Sequence, residues 1–215
     1  MKSEYSKSRN DVRLGHNLNI LAKREISTLC YLINIDDRKF TLMNKTVIDL
    51  GCGDRYLQPE IERLGSKYYG FDEDECDLIT DRVNMANNSA DVILSYSVIE
   101  HLIDPSNFYQ ESYRLLKKGG YLMIMTPNWN FSQNNFYDDY THVKPYTPKS
   151  LSAITKDFGF NVISTVPNLR CKPKFFYYNK YSFRIAKMLP LRGYGGVFGF
   201  LKGRATGIYL LAKKD

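Results

Sequence analysis

The chain has 215 residues, 43% of them hydrophobic and 25% charged, proportions that describe a folded globular protein and exclude a disordered or membrane-embedded one. Its longest apolar runs, such as Tyr121 to Met125, fall far short of a bilayer span, and the basic residues near the N-terminus have no apolar stretch behind them, so a signal peptide is not expected. The net charge of +7 is uneven: residues 166–215 hold 11 Lys/Arg and one acid, whereas the rest of the chain holds 19 basic and 22 acidic residues, so the basicity needs a local explanation.

Residues 1–45 read as an N-terminal helical cap, with apolar residues from Leu18 to Ile33 at helical spacing predicting one helix over about 17–34. From residue 46 short apolar runs alternate with helical stretches. Thr46 to Leu50 is β-branched and bounded by glycine, which predicts a buried strand. A short helix follows over 57–64, then strands at 67–71, 77–80 and 91–95. Pro105 suits the first turn of a helix reaching about Lys117, stopped by Gly119 and Gly120. Further strands are expected at 121–125, 160–166 and 206–212, with a helix near 148–158. This alternation predicts an α/β fold: a Rossmann-like, seven-stranded, mostly parallel sheet with helices on both faces and an antiparallel last strand. Residues 46–215 would form that domain, with a basic, aromatic insertion at about 168–205.

Ligands of such sheets bind beyond the carboxyl ends of the strands. Gly51 and Gly53 follow the first strand, where glycine permits a sharp turn and close approach to a ligand. Asp72 closes the second strand, where an acid can take both hydroxyls of a ribose. A dinucleotide site calls for a third glycine at position 56, which is Tyr56. Asp49, before the turn, would repel a diphosphate and suits a ligand with an ammonium group. S-adenosylmethionine has one, beside its sulfonium cation, and is favoured over a nicotinamide dinucleotide.

Six ordered stretches carry a resemblance: Val47-Ile48-Asp49-Leu50-Gly51-Cys52-Gly53, Tyr69-Gly70-Phe71-Asp72, residues 88–95, Val98-Ile99-Glu100-His101-Leu102, residues 115–122 and Thr126-Pro127-Asn128. Together they resemble the class I S-adenosylmethionine-dependent methyltransferases of the small-molecule type. The resemblance implies that Asp49, Gly51, Cys52 and Gly53 line the methionine part of the cofactor, and that Asp72 meets the ribose. It further implies that Asp81 meets the adenine amine, and that Ser95 and Tyr96 border the sulfonium and substrate cleft. Only four residues separate Asp72 from Asp77, so the usual helix there is nearly deleted; Asp81 is preferred to Asp77, which falls at a strand start.

Methyl transfer needs a positioned nucleophile, and a base where the acceptor must lose a proton. The candidates are three histidines. His16 precedes the core. Glu100-His101 resembles the end of a Glu-x-x-Glu-His metal cluster of quinone-precursor O-methyltransferases, but Ser97 stands at its first position. A pair bonded to nearby backbone is the favoured reading, and no metal is expected. Asp139 and His142 lie in a long loop over the expected cleft. Asp139 could orient His142 as general base or acceptor-positioning group; alternatively His142 ties the loop to the following helix.

The expected acceptor is a small polar molecule such as a sugar or glycan precursor, of a kind that includes anionic ones. An RNA methyltransferase and a cofactor-binding protein without turnover are the alternatives. The insertion has no known RNA motif, which argues against nucleic acid, while its lysines and aromatics fit peripheral membrane contact or an ordinary insertion. Cys30, Cys52, Cys76 and Cys171 form no Cys-x-x-Cys pair, as expected in a reducing cytoplasm.

Overall fold

The computed structural model describes residues 18–168, 191–192, 202–204 and 207–215. His16 and most of the insertion lie outside them. The elements in chain order are α1 (Leu18–Asp36), β1 (Thr46–Leu50), α2 (Gln58–Arg63), β2 (Lys67–Phe71), β3 (Ala90–Tyr96), a 3₁₀ turn (Ile99–His101) and α3 (Ser106–Leu115). They continue with β4 (Leu116–Pro127), α4 (Trp129–Ser132), a second 3₁₀ segment (Gln133–Asp138), α5 (Pro148–Asp157), β5 (Asn161–Pro167), β6 (Leu191–Arg192), β7 (Lys202–Arg204) and β8 (Gly207–Lys213).

Six strands form the main sheet in the order β2-β1-β3-β4-β8-β5. The pairs β2/β1, β1/β3 and β3/β4 are parallel, and β8 runs antiparallel to both of its neighbours. β6 and β7 pair separately. The alternation of side chains across the sheet divides the core. Val47, Val92, Leu94, Met123, Tyr209 and Leu211 meet Ile26, Leu29, Leu32 and Ile33 of α1 on one face. Ile48, Ile93, Leu122, Ile124, Leu210 and Ala212 meet Phe108 and Tyr109 of α3 and Leu151 of α5 on the other. Each of these aliphatic side chains contributes about 1.5–3 kcal/mol by leaving water.

α1 is tied down at its middle and at its C-terminal end. The Tyr209 hydroxyl donates to the buried Glu25 carboxylate, and Asp36 accepts from Tyr121 Oη at 2.7 Å and Lys213 Nζ at 2.8 Å. α5 begins with a capping box, Thr147 accepting from Ser150 N while the Ser150 hydroxyl accepts from Thr147 N.

The expected strand at 77–80 does not form; the segment is a turn, and the sheet has six strands instead of seven. Local side chains capture its backbone. Asp81 Oδ2 accepts from Asp77 N and Asp77 Oδ1 from Ile79 N, at 2.9 and 2.8 Å, a competition with ladder pairing to which aspartate is prone. Cys76, Leu78 and Val83 still reach the core from this turn. β4 also starts earlier than its glycines suggest, because Leu116 already pairs with Ala90. Gly119, at φ +77°, turns the chain within it.

The strand order reverses at β1: the chain leaves β1 for β2 on one side and returns to β3 on the other. The carboxyl ends of β1 and β3 therefore flank a crevice, and the residues described next converge there. No helix among the described residues is long and apolar enough to cross a membrane.

Candidate active site

The turn after β1 is drawn tight by two glycines with positive φ, Gly51 at +78° and Gly53 at +53°, a region costly for other residues. Gly51 N and Cys52 N both donate to the Phe71 carbonyl, at 2.7 and 3.1 Å, joining the ends of β1 and β2. A Cβ on Gly51 would lie 2.2 Å from Val98 Cγ2, so glycine is also what lets the segment after β3 close on this turn. Ser97 makes that approach from a left-handed conformation, φ +58°, with its N–H on the Met125 carbonyl at 2.8 Å. α2 starts only at Gln58, five residues beyond Gly53, so helix start and glycine turn are separate features.

Asp49 is 2% exposed and accepts from Tyr68 Oη at 2.9 Å. Burial pushes the Tyr68 phenol far up, and the adjoining carboxylate pushes it further, so the phenol stays a neutral donor. Gly70 faces Asp49 across the β1/β2 ladder. A Cβ there would meet Cys52 Sγ at 2.8 Å and Tyr68 Oη at 2.9 Å. Burial raises the Cys52 thiol, the charges of Asp49 and Asp72 add to the rise, and an Arg55 contact opposes it. Cys52 thus lies within electrostatic reach of both predicted cofactor carboxylates. Asp72 is half-buried just past β2. Arg55 reaches across to the Gly70 carbonyl at 3.2 Å and to Glu75 at 2.5 Å, clasping the two loops at the rim.

Asp81 is exposed, and its carboxylate closes its own turn, accepting from Asp77 N and from the Thr80 hydroxyl at 3.2 Å. Asn107 Nδ2 anchors that turn through the Leu78 and Asp81 carbonyls. Ser95 is wholly buried in β3. Tyr96 turns into the α1 layer beside the Tyr209 ring at 6.3 Å, its hydroxyl on Met123 Sδ at 3.5 Å. Val98, one turn of chain further on, is the residue seen to touch the glycine turn.

Immediately after Val98 the 3₁₀ turn delivers Glu100 and His101, and the loop beyond β4 brings in Asp139, Thr141 and His142. Val143 N and Lys144 N donate to the Glu100 carbonyl at 2.9 and 3.0 Å, which holds the two segments together. Glu100 is completely buried, with Oε2 accepting from Thr126 Oγ1 at 2.9 Å. His101 Nδ1 lies 2.9 Å from Thr141 Oγ1 and 3.2 Å from the Thr141 carbonyl. Asp139 Oδ1 accepts from Thr141 N and Oγ1, at 3.1 and 2.5 Å.

His142 is oriented differently from the sequence expectation. Its Nδ1 contacts the Phe136 carbonyl at 2.6 Å, so a backbone carbonyl, and not Asp139, sets the ring. Asp139 Oδ2 stands on the Nε2 side at 3.4 Å, with Glu100 Oε1 at 4.0 Å. The two imidazoles lie 4.7 Å apart. The Glu100 carboxylate is bonded to the Thr126 hydroxyl and His101 to Thr141, not to backbone beside them in sequence, and the pair also joins His142. Ligand-capable atoms of Glu100, His101 and His142 all lie within 4.8 Å of one another. Aromatic rings flank the group: Phe136 is 4.6 Å from His142 and 5.4 Å from Trp129, and Tyr137 and Tyr140 are exposed.

Sequence reasoning missed Tyr68, Val98, Thr126 and Thr141. Tyr68 was detectable, since a β2 residue two before Gly70 must neighbour Asp49 in a parallel pair. The others depend on loop conformations that no local pattern encodes.

An acid before a tight glycine turn, a second acid past β2 and a sheet ending in an antiparallel strand define the class I methyltransferase arrangement. The family described as "Methyltransferase domain" matches residues 22–165, and the chain belongs to it. Its similarity to individual proteins is partial. A Mycolicibacterium smegmatis protein described as a "probable S-adenosylmethionine-dependent methyltransferase" is 31% identical over 143 residues, 57% of this chain and 54% of that one. The ubiquinone biosynthesis O-methyltransferase of Pseudomonas paraeruginosa is 26% identical over 118 residues, 46% of this chain and 51% of its own. The chain thus spans about half the length of the curated relatives it matches. The fold is shared with an Archaeoglobus fulgidus SAM-dependent methyltransferase (TM-score 0.57, 20% identity, 89% of this chain and 94% of that one). A Mesorhizobium loti methyltransferase gives a TM-score of 0.59 at 12% identity, covering 85% and 96%.

The residues fit the S-adenosylmethionine of this family. The buried Asp49 offers a carboxylate to an ammonium group, the Gly51 turn leaves no room for a side chain, and Asp72 stands half-buried beyond β2.

Proposed function

We propose that the protein transfers a methyl group from S-adenosylmethionine to a hydroxyl of a small polar acceptor, such as a sugar or glycan precursor. The observation that carries this reading is the group of one buried carboxylate and two imidazoles placed directly behind Val98, where it touches the glycine turn. When bound, S-adenosylmethionine supplies an electrophilic methyl on a sulfonium. The chain has the remaining tasks: holding the acceptor oxygen in line, excluding water and accepting the hydroxyl proton. With Nδ1 donating to the Phe136 carbonyl, His142 presents Nε2 as its basic nitrogen. Asp139 Oδ2 and Glu100 Oε1 stand on that side, at 3.4 and 4.0 Å. Asp49 and Asp72 would hold the cofactor's ammonium and ribose, and Asp81 would approach the adenine from its turn. The Trp129 and Tyr137 rings, 6.1 Å apart and reachable from solvent, suit an acceptor with an apolar face as well as hydroxyls.

The experiment is a panel of acceptors with S-adenosylhomocysteine release as the readout: free sugars, sugar phosphates, nucleotide sugars, phenols, amines and short RNA. Turnover confined to hydroxyl acceptors is expected, and His142→Gln should lower kcat about 10²–10⁴-fold with little change in cofactor affinity. Turnover with amines or RNA alone would overturn the proposal. The phenol arm tests the acceptor chemistry that the ubiquinone-pathway relatives bear in their name.

A further inference from the structure

Arg55 departs from the backbone preference of its own side chain. It lies between the glycine turn and α2 at φ +53°, in the left-handed region, which an arginine enters only at a cost. Its backbone closes the turn on both sides: Arg55 N donates to the Cys52 carbonyl, and the Arg55 carbonyl accepts from Gln58 N, each at 3.0 Å. The guanidinium is thereby led across to the loop after β2, where Nη2 donates to the Gly70 carbonyl at 3.2 Å and to Glu75 Oε1 at 2.5 Å. Gly70 makes the crossing possible, since a Cβ there would stand 3.1 Å from Arg55 Nε.

Stability does not account for this pair. The two side chains are 43% and 45% exposed, and an ion pair so open to water contributes less than a left-handed arginine costs. Strain kept at such a place points to a task. What the pair holds is the turn that carries Asp72. The Asp72 carbonyl accepts from Glu75 N and Cys76 N, at 2.8 and 2.9 Å, and Cys76 is buried in the core. Cys76 fixes one side of the turn, and Arg55, through Glu75, fixes the other. Asp72 to Glu75 are four successive acids, whose mutual repulsion works to spread the loop. None of the hydrogen bonds among the described residues joins Arg55 to the Asp72 carboxylate, so the cation braces the loop from Gly70 and Glu75, on either side of Asp72.

We propose that Arg55 is a positioning residue for the cofactor: by bonding the Gly70 carbonyl and Glu75, it holds the loop after β2 so that Asp72 takes both ribose hydroxyls of S-adenosylmethionine. The inference rests on the placing of Asp72 at the ribose given above. A carboxylate already set for two adjacent hydroxyls binds them without first ordering its loop, and that saved entropy appears as affinity. Arg55 therefore acts on the hold over the nucleoside half of the cofactor and on the selectivity for a ribose with both hydroxyls, through the loop and not by touching the reacting methyl.

The test is calorimetry of the full chain with S-adenosylhomocysteine and with its 2′-deoxy analogue, beside a thermal melt. Arg55→Ala, Arg55→Gly and Glu75→Gln should each weaken S-adenosylhomocysteine about tenfold. The Arg55→Ala/Glu75→Gln double variant should bind no more weakly than either single one. Glycine is at ease at φ +53°, so Arg55→Gly should melt above Arg55→Ala while losing the same affinity. A merely structural role would return the affinity together with the melting temperature, and that result would overturn the proposal. Wild-type affinity in both Arg55→Gly and Glu75→Gln would do the same. The wild-type chain should prefer S-adenosylhomocysteine to the 2′-deoxy analogue about tenfold. Asp72→Asn should abolish that preference, and the Arg55 variants should shrink it to about threefold. A preference lost in Asp72→Asn but whole in the Arg55 variants would sink the role of Arg55 alone. A wild-type chain indifferent to the 2′-hydroxyl, with Asp72→Asn binding as tightly, would sink the ribose reading and this inference with it.

Discussion

Two carboxylates, the buried Asp49 and the half-buried Asp91, stand at opposite ends of neighbouring strands and keep different company. Asp91, at the amino end of β3, meets Lys117 at 2.7 Å, Lys45 at 3.4 Å and Thr46 N at 2.9 Å. Burial pushes its carboxyl up, but those contacts outweigh burial and hold it below the usual range. Asp49, at the carboxyl end of β1, accepts from the neutral Tyr68 phenol. The contrast repeats with Asp36, bonded to Lys213 near the amino ends, and Glu100, bonded to Thr126 near the carboxyl ends. Carboxylates at the amino ends are neutralised by the chain's own cations and hold the fold together. Those at the carboxyl ends accept from the neutral hydroxyls of Tyr68 and Thr126, at the end of the sheet where the proposal above places a cationic ligand, and burying such carboxylates costs stability.

The sharpest way to break this contrast is Asp49→Asn. Cofactor affinity should fall about 100-fold, equivalent to about 2.7 kcal/mol, while the melting temperature holds or rises; calorimetry with S-adenosylhomocysteine and a thermal melt decide. Unchanged affinity would remove Asp49 from the site. Asp91→Asn should do the reverse, costing about 1–3 kcal/mol of stability and leaving cofactor affinity intact.

The same variant carries a pH signature. Because the folded Asp91 carboxyl is held low, its stabilisation is fully present above its unfolded value of about 3.9 and is lost as pH falls through the lower folded value. Glu111 behaves alike: burial raises its carboxyl, and Arg114 and Val83 N outweigh it. Melts from pH 7 down to pH 2 should show wild-type stability falling below about pH 4, with a shallower fall in Asp91→Asn. An identical acid limb would refute the assignment. Tyr68→Phe should weaken cofactor binding about tenfold by releasing one Asp49 oxygen, an effect of about 1.4 kcal/mol. Asp36→Asn is expected to be smallest, under about 1 kcal/mol in a denaturant titration, since its partner Lys213 is partly exposed.

Much of the fold was legible along the chain, because strand positions follow from apolar runs bounded by glycine and those runs are local. Thr46–Leu50, Lys67–Phe71 and the antiparallel Gly207–Lys213 form within a residue or two of expectation. The strand expected at 77–80 was not, because Asp77 and Asp81 bond their own backbone more readily than a neighbouring strand can.

By itself, the sequence determined that a sheet would present Asp49, two glycines and Asp72 at one end, since each sits at a fixed distance from a strand it belongs to. Only the tertiary structure decided that Val98 closes on Gly51, and that His142 faces Glu100 and Asp139 through Nε2 with its ring set by the Phe136 carbonyl. The Val98–Gly51 and His142–Glu100 contacts join segments more than forty residues apart, through a left-handed serine and two 3₁₀ segments whose paths are set by packing and not by periodicity. The glycine turn could be read from neighbours in sequence; the imidazole pair exists only because the loop after β4 folds back onto the turn after β3.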